Sequence, residues 1–129
     1  MKRVVKYFIA FASIISVTCS SCETDNIGKS ITGSWRCREE SGNMNYKQFS
    51  VNIDYASDID TTLFIIYNFH NQGFEVETYA RLRDTVLTLL QTNTMSNVAG
   101  TGYVSKDFRS INWEYSVDNE YVSAYFFRK

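Results

Sequence analysis

The chain has 129 residues, of which 44% are hydrophobic and 16% are aromatic, and it contains no proline. Its formal net charge of −1 at pH 7 argues against a nucleic-acid-binding protein, which would carry a basic surface. This length suits a single domain with its own hydrophobic core.

The N-terminal segment has the three-part pattern of an export signal. Three of the first six residues are basic, residues 7–17 are apolar, and small residues lead to Cys22. The apolar run is shorter than the roughly 20 residues that a membrane-spanning helix needs. We therefore expect residues 1–21 to be removed, which would leave 10 basic and 14 acidic residues and a charge of about −4.

Residues 19–25 read Cys-Ser-Ser-Cys-Glu-Thr-Asp and resemble the processing site of a bacterial lipoprotein. The resemblance implies that Cys22 becomes the N-terminal residue, carries acyl chains such as palmitate, and anchors the protein in the outer membrane. Cys19 is an alternative lipidation site, and simple secretion is a second alternative. Glu23 and Asp25 also resemble the surface-export signal of lipoproteins from the Bacteroides group, so the domain would face the periplasm or the cell surface.

The rest of the chain divides into a short linker and one domain. Residues 22–30 are mostly polar and include a glycine, which predicts a flexible tether, and residues 31–129 form the predicted domain. Only Cys22 and Cys37 would remain after cleavage. Because lipidation would use Cys22, we expect no disulfide.

Alternation of apolar and polar residues, interrupted by turn residues, predicts eight strands in this domain. The predicted strands cover residues 31–38, 49–55, 61–69, 74–82, 85–91, 98–104, 110–117 and 121–127. Residues 39–45 are predicted to form a loop, and residues 70–73 (His-Asn-Gln-Gly) a tight hairpin turn.

Short connections between all eight strands predict an antiparallel meander that closes into a small barrel, with a β-sandwich as the alternative. Gly100 and Gly102 share one face of the sixth strand, which indicates strong curvature or a large neighbour such as Trp35. The triplet Gly33-Ser34-Trp35 resembles the Gly-x-Trp that opens calycin and lipocalin barrels. With the export signal, the chain resembles the small calycin-like lipoproteins of the Bacteroides group.

Residues suited to catalysis are sparse. His70 is the only histidine, no serine or cysteine lies in a nucleophile-type turn, and we expect His70 to be a solvated turn residue. Glu75 and Glu77 lie on the predicted polar face of their strand, so they favour a solvated surface over a glycosidase pair. The spacing of zinc and EF-hand calcium sites is also absent from the sequence. We therefore predict no enzymatic activity, no cofactor and no metal, with a hydrolase as the catalytic alternative.

The sequence instead favours a binding or interaction module, with an envelope protein or a glycan as its partner. The alternative is a carrier of a small apolar ligand inside the barrel. The pocket of that carrier would be lined by four aromatic residues, Trp35, Phe49, Phe74 and Trp113.

Candidates for partner contacts on the outer face are three tyrosines, Tyr79, Tyr121 and Tyr125. The exposure of Tyr121 and Tyr125 depends on the register of the last strand. One register turns Tyr121, Tyr125 and Phe127 outward, where aromatic side chains could contact a partner. The opposite register buries them and exposes the intervening residues, and the sequence leaves both open.

Overall fold

The computed structural model describes residues 30–42, 45–90 and 97–128. The predicted signal, the tether up to residue 29 and both candidate lipidation sites, Cys19 and Cys22, lie outside these residues. Within the described ranges, no helix is long and apolar enough to cross a membrane.

Eight antiparallel strands follow one another around a closed barrel, and the last strand pairs with the first. The strands are β1 (Gly33–Ser41), β2 (Asn45–Tyr55), β3 (Leu63–Tyr67), β4 (Glu77–Arg83), β5 (Val86–Leu89), β6 (Val98–Val104), β7 (Ser110–Val117) and β8 (Glu120–Phe127). In the closing pair, Cys37 lies opposite Phe126. The predicted all-β barrel is therefore confirmed, and closure gives each strand a paired neighbour on both sides.

The interior is filled by the inward-facing side chains of the alternating pattern. Val122, Ala124 and Phe126 of β8 point inward and are buried. Tyr121 and Tyr125 consequently point outward, which decides the register that the sequence left open. The largest fully buried side chains are Trp35, Trp113, Phe69 and Phe126.

The glycines of β6 make room for large side chains on β7. Gly102 lies opposite Trp113, and a Cβ atom on Gly102 would come within 2.7 Å of the indole ring. Gly100 lies opposite Tyr115, where a Cβ atom would collide with the Glu114 carbonyl and with Cα and Cβ of Tyr115. The large neighbour is therefore Trp113 rather than the expected Trp35, because β6 pairs with β7 and not with β1.

Trp35 and Arg128 hold one end of the barrel together. The Trp35 indole nitrogen donates a hydrogen bond to the Ile31 carbonyl at 2.8 Å, and the Arg128 guanidinium carbon lies 4.2 Å from the centre of a Trp35 ring. Arg128 also donates to the carbonyls of Thr32 (2.8 Å) and Phe108 (2.9 Å). Partial burial lowers the pKa of Arg128 from its usual value. These contacts join the start of β1 to the end of β8 and to the β6–β7 turn.

At the opposite end, the connection between β3 and β4 differs from the prediction. The prediction of a tight hairpin turn at residues 70–73 is wrong, because β3 ends at Tyr67 and a 3₁₀ turn follows at Phe69–Asn71. Asn68, the first residue after β3, has a left-handed φ of 66°, which turns the chain away from the strand direction. Its side chain donates to the Ser50 carbonyl and accepts from the Gly73 amide, both at 2.7 Å. Phe69 is thereby directed into the barrel instead of extending the sheet.

Several predicted strand boundaries shift as well. β1 continues to Ser41 and β2 begins at Asn45, so the predicted loop over residues 39–45 is mostly strand. β4 begins at Glu77, so Phe74 lies before the strand and is 54% exposed. Phe74 was expected to face the interior, and it does not because the long β3–β4 connection carries it outside the ladder.

Candidate functional site

Three polar side chains meet inside the end of the barrel that the 3₁₀ turn covers. Glu39 is 2% exposed, and its Oε1 lies 2.7 Å from Nδ1 of His70. The Tyr115 hydroxyl donates to Oε2 of Glu39 at 3.1 Å and lies 3.1 Å from the same His70 nitrogen. Burying a carboxylate without such partners costs free energy. The Tyr115 hydroxyl and Nδ1 of His70 therefore explain how Glu39 is accommodated in the core.

Backbone conformation brings His70 to this carboxylate. Glu39 lies on the inward face of β1, two residues beyond Cys37. The 3₁₀ turn folds over the barrel end, where His70 itself has a left-handed φ of 57°. The Phe69 ring packs inside against Trp113 and Tyr115, with ring centres 5.2 and 4.7 Å apart. The expectation of a solvated His70 is therefore wrong, since its side chain is only 22% exposed.

Burial keeps the neighbouring acidic groups protonated. Desolvation, and then the negative charge of Glu39, raise the pKa of Tyr115 well above that of an ordinary phenol. The same two causes raise the pKa of the Cys37 thiol. Since a thiolate is the reactive form of cysteine, Cys37 is an inert core residue, as the sequence indicated.

The carboxylate of Glu39 orients the imidazole of His70. A carboxylate that holds one ring nitrogen of a histidine is a common feature of catalytic bases. Here the adjacent hydroxyl is the buried Tyr115 phenol, not an activated serine or cysteine. Neither of the two surface grooves described next includes His70. The cluster attaches the 3₁₀ turn to the barrel wall.

A groove of about 280 Å³ lies on the outer face of β1, β7 and β8, and we call it the β8 groove. Its lining residues are Arg38, Glu40, Asn112, Trp113, Glu114, Ser123, Ala124 and Tyr125. Strand pairing places the polar members in two rows. One row runs Arg38, Tyr125, Asn112 across the three strands, and the second runs Glu40, Ser123, Glu114.

The second row explains the shape of the β8 groove. Neighbouring strands are about 4.8 Å apart, so the backbones of Glu40 and Glu114 are separated by roughly 10 Å on either side of β8. Between them stands Ser123, whose short side chain leaves space above the sheet. The two carboxylates therefore flank an open position on the central strand.

Polar groups in the β8 groove are largely unpaired. Among residues 30–42, 45–90 and 97–128, the only ion pairs are His70–Glu39 and Arg81–Asp60. Within the same ranges, the side chains of Glu40, Asn112 and Glu114 form no hydrogen bond to another residue. Their hydrogen-bonding capacity is free for solvent or a ligand.

Aromatic side chains border this groove. The rings of Tyr125 and Phe127 are nearly parallel, with centres 5.6 Å apart and an angle of 22° between their planes. Tyr125 is 42% exposed. On the β2 side, the guanidinium of Arg38 lies 4.3 Å from the centre of the Tyr46 ring. On the β6 side, the exposed Tyr103 is the neighbour of Asn112.

The other residues predicted for contacts are dispersed. Tyr121 shares the outer face of β8 but precedes Tyr125 by four residues, about 13 Å along the strand, and it does not line the groove. Tyr79 lies on β4, where its hydroxyl donates to Glu77 at 2.8 Å, and this bond raises its pKa. Only Tyr125 of the three tyrosines lies in the groove.

The four residues of the predicted carrier pocket also separate. Trp35 and Trp113 are buried, Phe49 is partly buried against the core, and Phe74 is exposed. Sequence reasoning missed the polar groove residues Arg38, Glu40, Asn112 and Glu114 as a group. Alternation had marked most of them as outward-facing, but only the pairing of β1 with β8 brings them together.

A second groove of about 260 Å³ is lined by Arg81, Arg83, Thr88 and Leu90 on β4 and β5 and the residue after β5. Arg81 is already paired there with Asp60, at 3.0 Å. Hydrogen bonds from Thr62 are the main cause that lowers the pKa of Asp60. Because its central cation is engaged, this groove offers fewer free polar groups than the β8 groove.

No protein-family model and no curated protein matches the chain. Among solved structures, it is similar to a de novo designed fluorescence-activating β-barrel. The TM-score is 0.52 at 17% sequence identity, over 81% of this chain and 98% of the designed one. At that identity the similarity concerns the fold alone, and it agrees with a closed eight-stranded β-barrel.

Proposed function

We propose that this protein is a lipid-anchored binding module of the bacterial cell envelope that holds its partner in the β8 groove. The observation that carries the proposal is the combination of unpaired polar side chains with the exposed ring of Tyr125 in one depression. Tyrosine and arginine are enriched among the residues that dominate binding energies, and Tyr125 and Arg38 stand side by side here.

The barrel gives this groove a rigid support. Its lining residues come from three neighbouring strands whose backbones are hydrogen-bonded along their length. The backbone beneath the groove is already ordered by this pairing, so binding energy is not spent on ordering a loop. A closed barrel is thus well suited to present a small recognition surface.

The proposed anchor is compatible with access to the groove. Acylation at Cys22 would leave eight residues before Ile31, and these can extend at most roughly 25–30 Å. Ile31 lies at the barrel end that contains Arg128, whereas the β8 groove lies on the side wall. The tether would therefore hold the barrel near the outer membrane with this wall open to solvent.

Reconstitution tests the proposal. The full lipidated chain is incorporated into phosphatidylcholine vesicles, which are mixed with a water-soluble extract of its own cell envelope and then sedimented. We expect envelope material to sediment with the wild-type vesicles and to be lost with Tyr125→Ala combined with Glu114→Ala. Phe74→Ala, an exposed aromatic that does not line the groove, is the control and should bind as wild type. Equal binding by all three proteins would refute the proposal.

A carrier function is the second candidate, and one observation favours it. Within the described ranges, Thr78 Oγ1 and Trp113 Nε1 are buried without a hydrogen-bond partner. Buried polar atoms usually have partners, and a guest with a polar group, or water, would supply one. Native mass spectrometry of the purified full chain would reveal a retained guest. Phe69 occupies part of the interior, so the first candidate has the stronger support.

A further inference from the structure

We infer that the β8 groove binds a single pyranose ring of a saccharide. This inference rests on the proposed function and names the class of ligand for the same site. It follows from three properties of the groove: its mixture of donors and acceptors, its size and its aromatic border.

The polar groups of the groove suit a neutral polyhydroxylated ligand. Each sugar hydroxyl both donates and accepts hydrogen bonds, so it needs both kinds of partner. Arg38 supplies only donors, Glu40 and Glu114 supply acceptors, and Asn112 supplies both. A carboxylate can also accept from two neighbouring hydroxyls at once, which matches the vicinal hydroxyls of a pyranose ring.

Charge disfavours the ionic alternatives. A phosphate or carboxylate ligand would meet Glu40 and Glu114, which lie on either side of the groove. A lysine or arginine side chain of a partner would meet Arg38 in the adjacent row. A ligand without net charge avoids both repulsions and can still use every one of these groups.

The dimensions limit the ligand to a small unit. The volume of about 280 Å³ is just below the usual range of about 300–1,000 Å³ for small-molecule sites. The open position above Ser123, between two carboxylates roughly 10 Å apart at the backbone, is accordingly the place for one ring. Further units of a glycan would continue across the outer face of the sheet.

The aromatic border completes the match. One face of a pyranose ring carries C–H groups, and these pack well on the electron-rich face of an aromatic ring. Tyr125 provides that surface at the groove, and Phe127 stacks behind it at 5.6 Å and restricts its orientation. Tyr125 therefore contributes apolar contact area beside the charged and amide groups.

The vesicle experiment described above tests the inference when the envelope extract is first digested with protease or oxidised with periodate, which cleaves vicinal diols. We expect carbohydrate to sediment with wild-type vesicles, to survive protease and to disappear after periodate. Tyr125→Ala and Glu114→Gln should each weaken the apparent affinity about tenfold or more, the effect of losing one stacking contact or charged hydrogen bond. Tyr121→Ala, on the same strand but outside the groove, should change it less than about twofold.

The outcomes separate the two proposals. If the sedimented material is protein that protease removes and periodate leaves intact, and the groove variants abolish its binding, the saccharide inference is wrong while the proposed function stands. If wild-type and groove variants sediment the same material, or none, both fail. Because all three residues are exposed, unchanged thermal unfolding of the variants would show that lost binding does not reflect lost folding.

Discussion

Replacing Tyr115 by Phe tests whether the buried cluster stabilises the barrel. The substitution removes one oxygen and leaves no large cavity, because the ring remains packed against Phe69 at 4.7 Å. Glu39 then loses the donor at 3.1 Å to its Oε2 and keeps only His70. A hydrogen bond to a charged group contributes about 1.5–3 kcal/mol, so we expect the free energy of unfolding to fall by that amount.

Urea unfolding, followed by tryptophan fluorescence, measures this change. The midpoint should shift with an unaltered slope, and the Tm should fall by at least roughly 6 °C for a domain of this size. Tyr103→Phe, on the exposed face, is the control and should change stability by less than about 0.5 kcal/mol. Combining Tyr115→Phe with Glu39→Gln should give a non-additive loss, since both alter the same hydrogen bond. A loss below about 0.5 kcal/mol for Tyr115→Phe would refute the role of its hydroxyl.

Three further predictions concern other parts of the chain. Cys22→Ala should release the protein from membranes, as measured by fractionation, and continued membrane association would contradict acylation at Cys22. Trp35→Ala should lower the free energy of unfolding by about 3–5 kcal/mol through the cavity it leaves, and an unchanged urea midpoint would contradict this. Cys37 should make stability fall at alkaline pH, because its raised pKa keeps the folded thiol protonated after the unfolded thiol ionises near pH 8.5. Below that pH both states hold the proton. Above it, the free energy of unfolding of the wild type, measured with urea, should fall by up to about 1.4 kcal/mol more per pH unit than that of Cys37→Ala. Parallel pH profiles of the two proteins would contradict this prediction.

Alternation along the chain was sufficient to predict the barrel and most of its inward faces. β6 and β7 match their predicted ranges, and β8 begins one residue earlier than predicted, because regular patterns are bounded there by clear turn residues. Prediction was poorer around residues 61–76. The apolar run there continues past the end of β3. In the sequence, an apolar residue that fills the barrel from a turn, such as Phe69, cannot be distinguished from an apolar residue within a strand.

The two candidate sites depend on information that local patterns do not contain. Glu39 follows Trp35 and Cys37 on the inward face, but the turn residues at 41–43 (Ser-Gly-Asn) placed it in a predicted loop. His70 and Tyr115 reach it from positions 31 and 76 residues away in the chain. Such long-range meetings are set by strand order and register, which alternation leaves undetermined.

The amino-acid sequence by itself determined that this chain forms an all-β domain and which side chains face outward on most of its strands, β8 being the exception that the structure decided. The sequence also predicts an export signal and lipidation at Cys22, and both remain predictions. Only the tertiary structure decided that β1 closes on β8, and this closure sets Arg38 beside Tyr125 and Glu40 beside Ser123. The physical reason is that side-chain direction follows from the local pleat of a strand, whereas neighbours across strands follow from hydrogen-bonded pairing between distant segments.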